Sequence, residues 1–275
     1  MAVSASEIPT REEPTTVILE GIVGSTAYGL AHDESDVDRL GVFIEPTINF
    51  LGLDGVPTRR ESWKQPGDED RTLHEVGKFL SKALGGNPTF TELLWLPERL
   101  YVVKSAIGVG LIGVRNELLA ARPVRDSYLG YATQQFKKLE ERGGSFSSDT
   151  RKRTEKHARH MARLLLQGLH AWLTGVIMVD LEEMGRRYEF YEWIVIEALG
   201  WTPDPEFDGD AVVGLPNLIK LFGQQVAGGD IRAAHALMRL VEVRMDEART
   251  PLPDQPDRKA VDSWLKRQRL DQLKW

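Results

Sequence analysis

The pattern of apolar and polar positions changes character part-way along the chain. Residues 15–44 hold two short runs rich in β-branched residues, TTVILEGIVGS and DVDRLGVFI, each reading as a strand. Between them STAYGL reads as the first turn of a helix. The turn-rich stretch that follows predicts a short strand in RRESWKQ and a loop in PGDED. From residue 70 the spacing turns helical: Leu73, Val76, Phe79, Leu80 and Leu84 recur at three and four, which predicts one helix through DRTLHEVGKFLSKALGG. GGNPT is a stop and restart. TFTELLWL, SAIGVGLIGVRNELLAA and VRDSYLGYATQQFKKLEER then read as helices. After the small, polar ERGGSFSSDT comes the long helical TRKRTEKHARHMARLLLQGLHAWLTG. Further helices are expected at 187–199, 229–249 and 259–272, with GWTPDPEFDGDAVVGLPN as a turn-rich break. The layout is a loose polar arm over 1–14, an α/β front over 15–100 and a helical back over 101–275.

Composition narrows the class of function. A hydrophobic share of 41% and a charged share of 28% over 275 residues are ordinary for a globular chain. A net charge of -6 argues against a chain built mainly to clamp nucleic acid, while leaving room for a local basic patch. With no cysteine there is neither a disulfide framework nor a thiolate metal site. The N-terminus lacks the basic and apolar segments of a signal peptide. Arg163, Gln167 and His170 interrupt the longest apolar stretch, 161–179, which therefore reads as a buried helix rather than a span. A cytoplasmic protein without a membrane partner is the expectation.

Candidate chemistry sits between the two front strands. Asp36 and Asp38 are two apart, so on a strand they share one face, roughly 7 Å apart at Cα, with Val37 turned into the core. Such a pair repels itself unless a cation lies between. Mg²⁺ takes a few carboxylates together with phosphate oxygens, and two such ions activate an attacking oxygen and stabilise a leaving one. An acidic turn at a strand edge is the other reading of the same residues. Ahead of the pair, Gly24 and Ser25 end the first strand. Gly24 allows close approach to the backbone, and Ser25 is placed to cap the helix and donate to a phosphate oxygen.

The ordered set GSTAYGL, SDVDRLGV and GKFLSKALGGNPT, with Glu92 beyond, resembles DNA polymerase β-like nucleotidyltransferases. More narrowly, it resembles the RNA-ligase-associated (RlaP-like) nucleotidyltransferases, whose helical half is matched by KHARHMARLLLQG. The resemblance runs over most of residues 17–185. One departure is an arginine expected two places after the second aspartate, found one place after it as Arg39. The resemblance implies an α+β fold: a small mixed sheet flanked by helices, followed by a helical domain. It implies two Mg²⁺ ions, a nucleoside triphosphate, and a third metal carboxylate on a neighbouring strand. Asp70 is the candidate, with Glu61 and Asp68 as rivals, and capping of the following helix is its alternative role.

Several other residues bear on that picture. Lys78 is a candidate phosphate contact, or a solvated lysine. Tyr28 and His32 lie between the Gly-Ser and the aspartates, and Tyr28 matches the family. Residues 137–163 carry nine basic and four acidic side chains, a local +5. Within them Lys156, His160 and Arg163 share one helix face and are candidates to hold phosphate. The activity that the resemblance implies is transfer of a nucleoside monophosphate from the triphosphate to an acceptor hydroxyl, an RNA 3′ end such as that of tRNA. Adenylylation of a partner protein and an inactive nucleotide-binding module are the alternatives.

Overall fold

The computed structural model describes residues 16–31, 35–51, 53, 62–64, 70–141, 148–201 and 214–273. The arm at 1–14, His32, Glu61 and Asp68 lie outside them. The front is a mixed five-stranded sheet in the order β3-β4-β2-β1-β5, from β1 (Val17–Val23), β2 (Asp38–Phe43), β3 (Ser62–Lys64), β4 (Arg71–Glu75) and β5 (Tyr101–Lys104). β1 lies antiparallel to both β2 and β5, β2 runs parallel to β4, and β3 is antiparallel to β4. The α+β class is as expected. β5 pairs with β1, so the sheet continues past residue 100.

Helix and strand follow from which face each residue can bury. In β2, Leu40 and Val42 join the main core against the helices. Phe43, on the opposite face, packs with Trp63 and Leu73 in a small second cluster. The helix expected from residue 70 begins only at Val76. Residues 71–75 are strand β4, because a parallel partner, β2, takes up their backbone groups and buries Leu73. Leu73, Val76 and Leu80 fit a helical spacing, and the pairing overrides it. Helix α2 (Val76–Ala83) buries Val76, Phe79, Leu80 and Ala83, and the Glu75 carboxylate caps it by accepting from the Gly77 N–H at 2.7 Å. The cap is thus Glu75 rather than Asp70.

Helix α1 (Gly24–Tyr28) follows β1 directly, and α3 (Pro88–Glu92) starts at the expected restart with Asn87 as its cap. α4 (Ala106–Gly113) leads to α5 (Ala121–Glu141) and α6 (Ser148–Thr174). α6 is central, packing on α5 and on two later helices, α9 (Leu215–Ala227) and α10 (Ile231–Glu247). α9 falls where the turn residues Gly214 and Pro216 suggested a break; proline is at home in a first helical turn, where its missing N–H costs nothing. α7 (Leu181–Arg187) and α8 (Phe190–Leu199) lie between α6 and α9. α11 (Arg258–Asp271) returns to the sheet, where Arg269 pairs with Glu75 at 2.6 Å. The buried core runs on from Ile18 to Trp264. Among the described residues no helix is long and apolar enough to cross a membrane.

Candidate active site

A cleft of about 570 Å³ opens where the front of the sheet meets α5 and α6. One wall carries Gly24, Ser25, Asp36, Asp38 and Asp70. Strand register explains the acids. Val23 pairs with Asp38 at the end of β1, and Arg39 pairs with Arg71 across β2 and β4. Asp38 and Asp70 therefore stand at adjacent register positions, and the Arg39 N–H donates to the Asp70 carbonyl oxygen at 2.8 Å. Neighbouring strands lie about 4.8 Å apart, which brings the two residues side by side.

Two details of the expected geometry change. β2 begins at Asp38, so Asp36 and Val37 precede the strand, and Val37 is 50% exposed rather than buried. Among the described residues it has no partner strand opposite it, because β1 ends at Val23. Ser25 lies inside α1 rather than capping it; the cap position is Val23, which makes no side-chain bond. Gly24 has φ +69°, and a Cβ there would stand 2.2 Å from Asp38 Oδ2. The glycine therefore accommodates the Asp38 carboxylate as well as a left-handed backbone.

The facing wall is basic. Lys156 and Arg159 line it from α6, Lys138 from α5, and the His157 ring nitrogen Nδ1 meets Gln135 Oε1 at 2.7 Å. His160 and Arg163 continue inward along α6. Gln135 had no signal in the sequence beyond its three-residue spacing from Lys138.

Below the cleft Arg163 is a buried strut. Its guanidinium donates to Glu92 Oε1, to Gln167 Oε1 (2.7 Å) and to His160 Nδ1 (3.3 Å), and it stacks 4.1 Å from the Tyr28 ring centroid. The Tyr28 hydroxyl donates to Glu92 Oε2 at 2.6 Å. One carboxylate thus ties α1, α3 and α6 together. Burial holds the Tyr28 hydroxyl well above its ordinary pKa. Burial is the largest single influence on Arg163 and opposes its charge, but the Glu92 carboxylate, its hydrogen bond, Tyr28 and Tyr128 together raise the arginine's pKa. His160 is pushed down to about 3, by burial first and then by Arg163 and nearby basic groups. An arginine only donates, so His160 accepts at Nδ1 and is neutral with its proton on Nε2.

Lys78 is not brought to this cleft. It stands on α2 beside His74, where its charge adds to burial in holding that histidine down to about 4. Arg39 alternates with Asp38 along β2 and so falls on the opposite face of the sheet.

The RNA repair pathway DNA polymerase beta family (RlaP) matches residues 5–178, over half of the 275-residue chain. The chain belongs to that family. The RlaP family is one of polymerase β-like nucleotidyltransferases, so the protein is a transferase of RNA repair. Its match covers the sheet, the cleft and all of α6. No curated protein and no solved structure matches the chain.

The acids suit a hard cation by donor type. Among the described residues no three histidine or acidic side chains gather into a ready ligand cage. Mg²⁺ needs none, since one or two carboxylates and substrate phosphates commonly hold it.

Proposed function

We propose that the protein transfers a nucleoside monophosphate from a nucleoside triphosphate to the 3′ hydroxyl of an RNA, tRNA being the leading candidate. What supports this reading is one observation. In a chain of a nucleotidyltransferase family, a single cleft carries Gly24, Ser25, Asp36, Asp38 and Asp70 on one wall and Lys138, Lys156 and Arg159 on the other. The triphosphate lies over Gly24 and the Ser25 hydroxyl, between acids and bases. Asp36 and Asp38, with Asp70 as third carboxylate, hold a pair of Mg²⁺ ions. Bound there, Mg²⁺ supplies positive charge against the phosphate oxygens.

The acceptor oxygen forms a bond to the α-phosphorus as the bond from that phosphorus to the β-phosphate oxygen breaks. Pyrophosphate leaves, and the hydroxyl proton passes to Asp70 and on to solvent. Lys156, with Lys138, neutralises phosphate charge, and His160 offers a neutral N–H to it. Positioning and charge compensation carry most of the rate. Tyr28 and Arg163 act from below, by holding α1 against α6. The exposed Lys137, Arg151, Lys152 and Arg153 continue the basic surface outward from the cleft, where an RNA backbone has phosphates to meet.

The test is transfer of label from each α-labelled triphosphate, with Mg²⁺, to RNA or to lysate protein. Label on RNA 3′ ends, lost in Asp36→Asn and Asp38→Asn, is expected. Label on protein alone, or on RNA in the variants as in the parent, would overturn the reading.

A further inference from the structure

The face of the sheet turned away from the cleft carries a buried ion pair that the reaction does not touch. Arg71 Nε donates to Glu20 Oε1 at 2.9 Å and Arg71 Nη2 to Glu20 Oε2 at 2.7 Å. The Glu20 side chain is 2% exposed and that of Arg71 14%. Glu20 belongs to β1 and Arg71 to β4, the two strands flanking β2, so the pair reaches across β2. It crosses at Gly41, the register partner of both Glu20 and Leu73. A Cβ there would come within 2.6 Å of Leu73 Cδ2, 2.9 Å of the Leu19 carbonyl oxygen and 3.2 Å of Glu20 Cβ. On its outer side Trp63 lies 5.5 Å from the Arg71 guanidinium, a cation–π contact.

Arg71 directly follows Asp70. Strand residues alternate faces, so Arg71 anchors the far face while Asp70 lines the cleft. β4 is held to β2 by parallel pairing, and its first bond is the Arg39 N–H to the Asp70 carbonyl. A slip of one residue there would send Asp70 to the wrong face.

We infer that Glu20 and Arg71 are positioning residues for Asp70: their bidentate pair across Gly41 sets where the third carboxylate stands beside Asp38. This rests on the reading of Asp70 as a metal-holding carboxylate. Two parallel N–H···O bonds fix angle as well as distance, which a lysine would not do.

The experiment compares Glu20→Gln, Arg71→Lys and the apolar double variant Glu20→Leu/Arg71→Met with Asp70→Asn. The double variant leaves no unpaired buried charge, so it keeps the test open if a single variant does not fold. Three quantities are read: Mn²⁺ affinity of the triphosphate-free protein, hydrogen exchange at the Arg39 amide, and kcat against KM. Expected are a fall of about 10-fold or more in Mn²⁺ affinity and in kcat, little change in KM, and faster exchange at Arg39. Asp70→Asn should lower affinity and kcat without speeding that exchange. A folded double variant with parental Mn²⁺ affinity, kcat and Arg39 exchange would overturn the positioning role while leaving Asp70 in place. Parental affinity and kcat in Asp70→Asn would instead remove the reading of Asp70, and the inference with it.

Discussion

Glu92→Gln tests whether the floor of the cleft is held by charge. Both members of the Glu92–Arg163 pair are 3% exposed. The substitution preserves shape and leaves an amide to meet the Tyr28 hydroxyl, but strips the counter-charge from a buried guanidinium. Its remaining neighbours, Gln167 and His160, are neutral, and removing one partner of a buried pair costs about 3–5 kcal/mol. The loss of the charged acceptor for Tyr28 is part of that figure and is not added to it. For a chain of this size 1 kcal/mol moves Tm by about 2–4 °C, so Tm should fall by about 10 °C. Urea unfolding followed by circular dichroism would show a lower midpoint at unchanged slope. Glu92→Leu/Arg163→Met, which removes both charges, should regain most of the loss. Triphosphate affinity should fall in Glu92→Gln, because Tyr28 ties α1 and hence Gly24 and Ser25 to this carboxylate. A loss below about 1 kcal/mol, or a double variant no more stable than the single one, would refute the argument.

Gly24→Ala should abolish transfer and cost about 1–2 kcal/mol, because the position has φ +69° and the new methyl meets the Asp38 carboxylate; a transfer assay beside urea unfolding checks both. Lys156→Ala should reduce the slope of log affinity for single-stranded RNA against log salt by about 0.7, the share of one phosphate contact; filter binding at several salt concentrations reads it. Acid should destabilise the fold through His160 and His170, whose pKa values burial lowers to about 3 and about 4. Below about pH 6.5 the unfolded chain takes up protons that the fold refuses. Between about pH 7 and pH 8 stability is therefore flat, and it falls as pH drops towards 4, by up to about 1.4 kcal/mol per pH unit for each histidine. Urea midpoints from pH 8 to 4 should trace that curve, and His170→Gln should make it shallower.

Local chemistry made much of the site readable. β-branched runs gave away β1 and β2, Asn87 and Pro88 announced α3, and the Gly-Ser and D-x-D motifs stood on the turns and strand ends that line the cleft. Residues 71–75 were not readable in this way. Leu73 satisfies a helical and a strand spacing alike, and pairing with β2, some thirty residues earlier, chose the strand. That same pairing set Asp70 beside Asp38, which no local pattern around Asp70 encodes. Val37 looked like a core residue from its alternation, but alternation says nothing about where the partner strand stops.

Helix spacing correctly placed Lys156, His160 and Arg163 on one face of α6. It could not separate a residue at the mouth of a cleft from one beneath it, because depth along that face depends on Glu92, 71 residues before Arg163, and on Tyr28. Lys78 had a fitting spacing and a plausible charge, and packing took it to His74 instead. Residue type and short-range spacing limit which groups can do phosphate chemistry. The distances that select among them arise where distant segments meet, since burial and pairing energies depend on neighbours in space rather than on order in the chain.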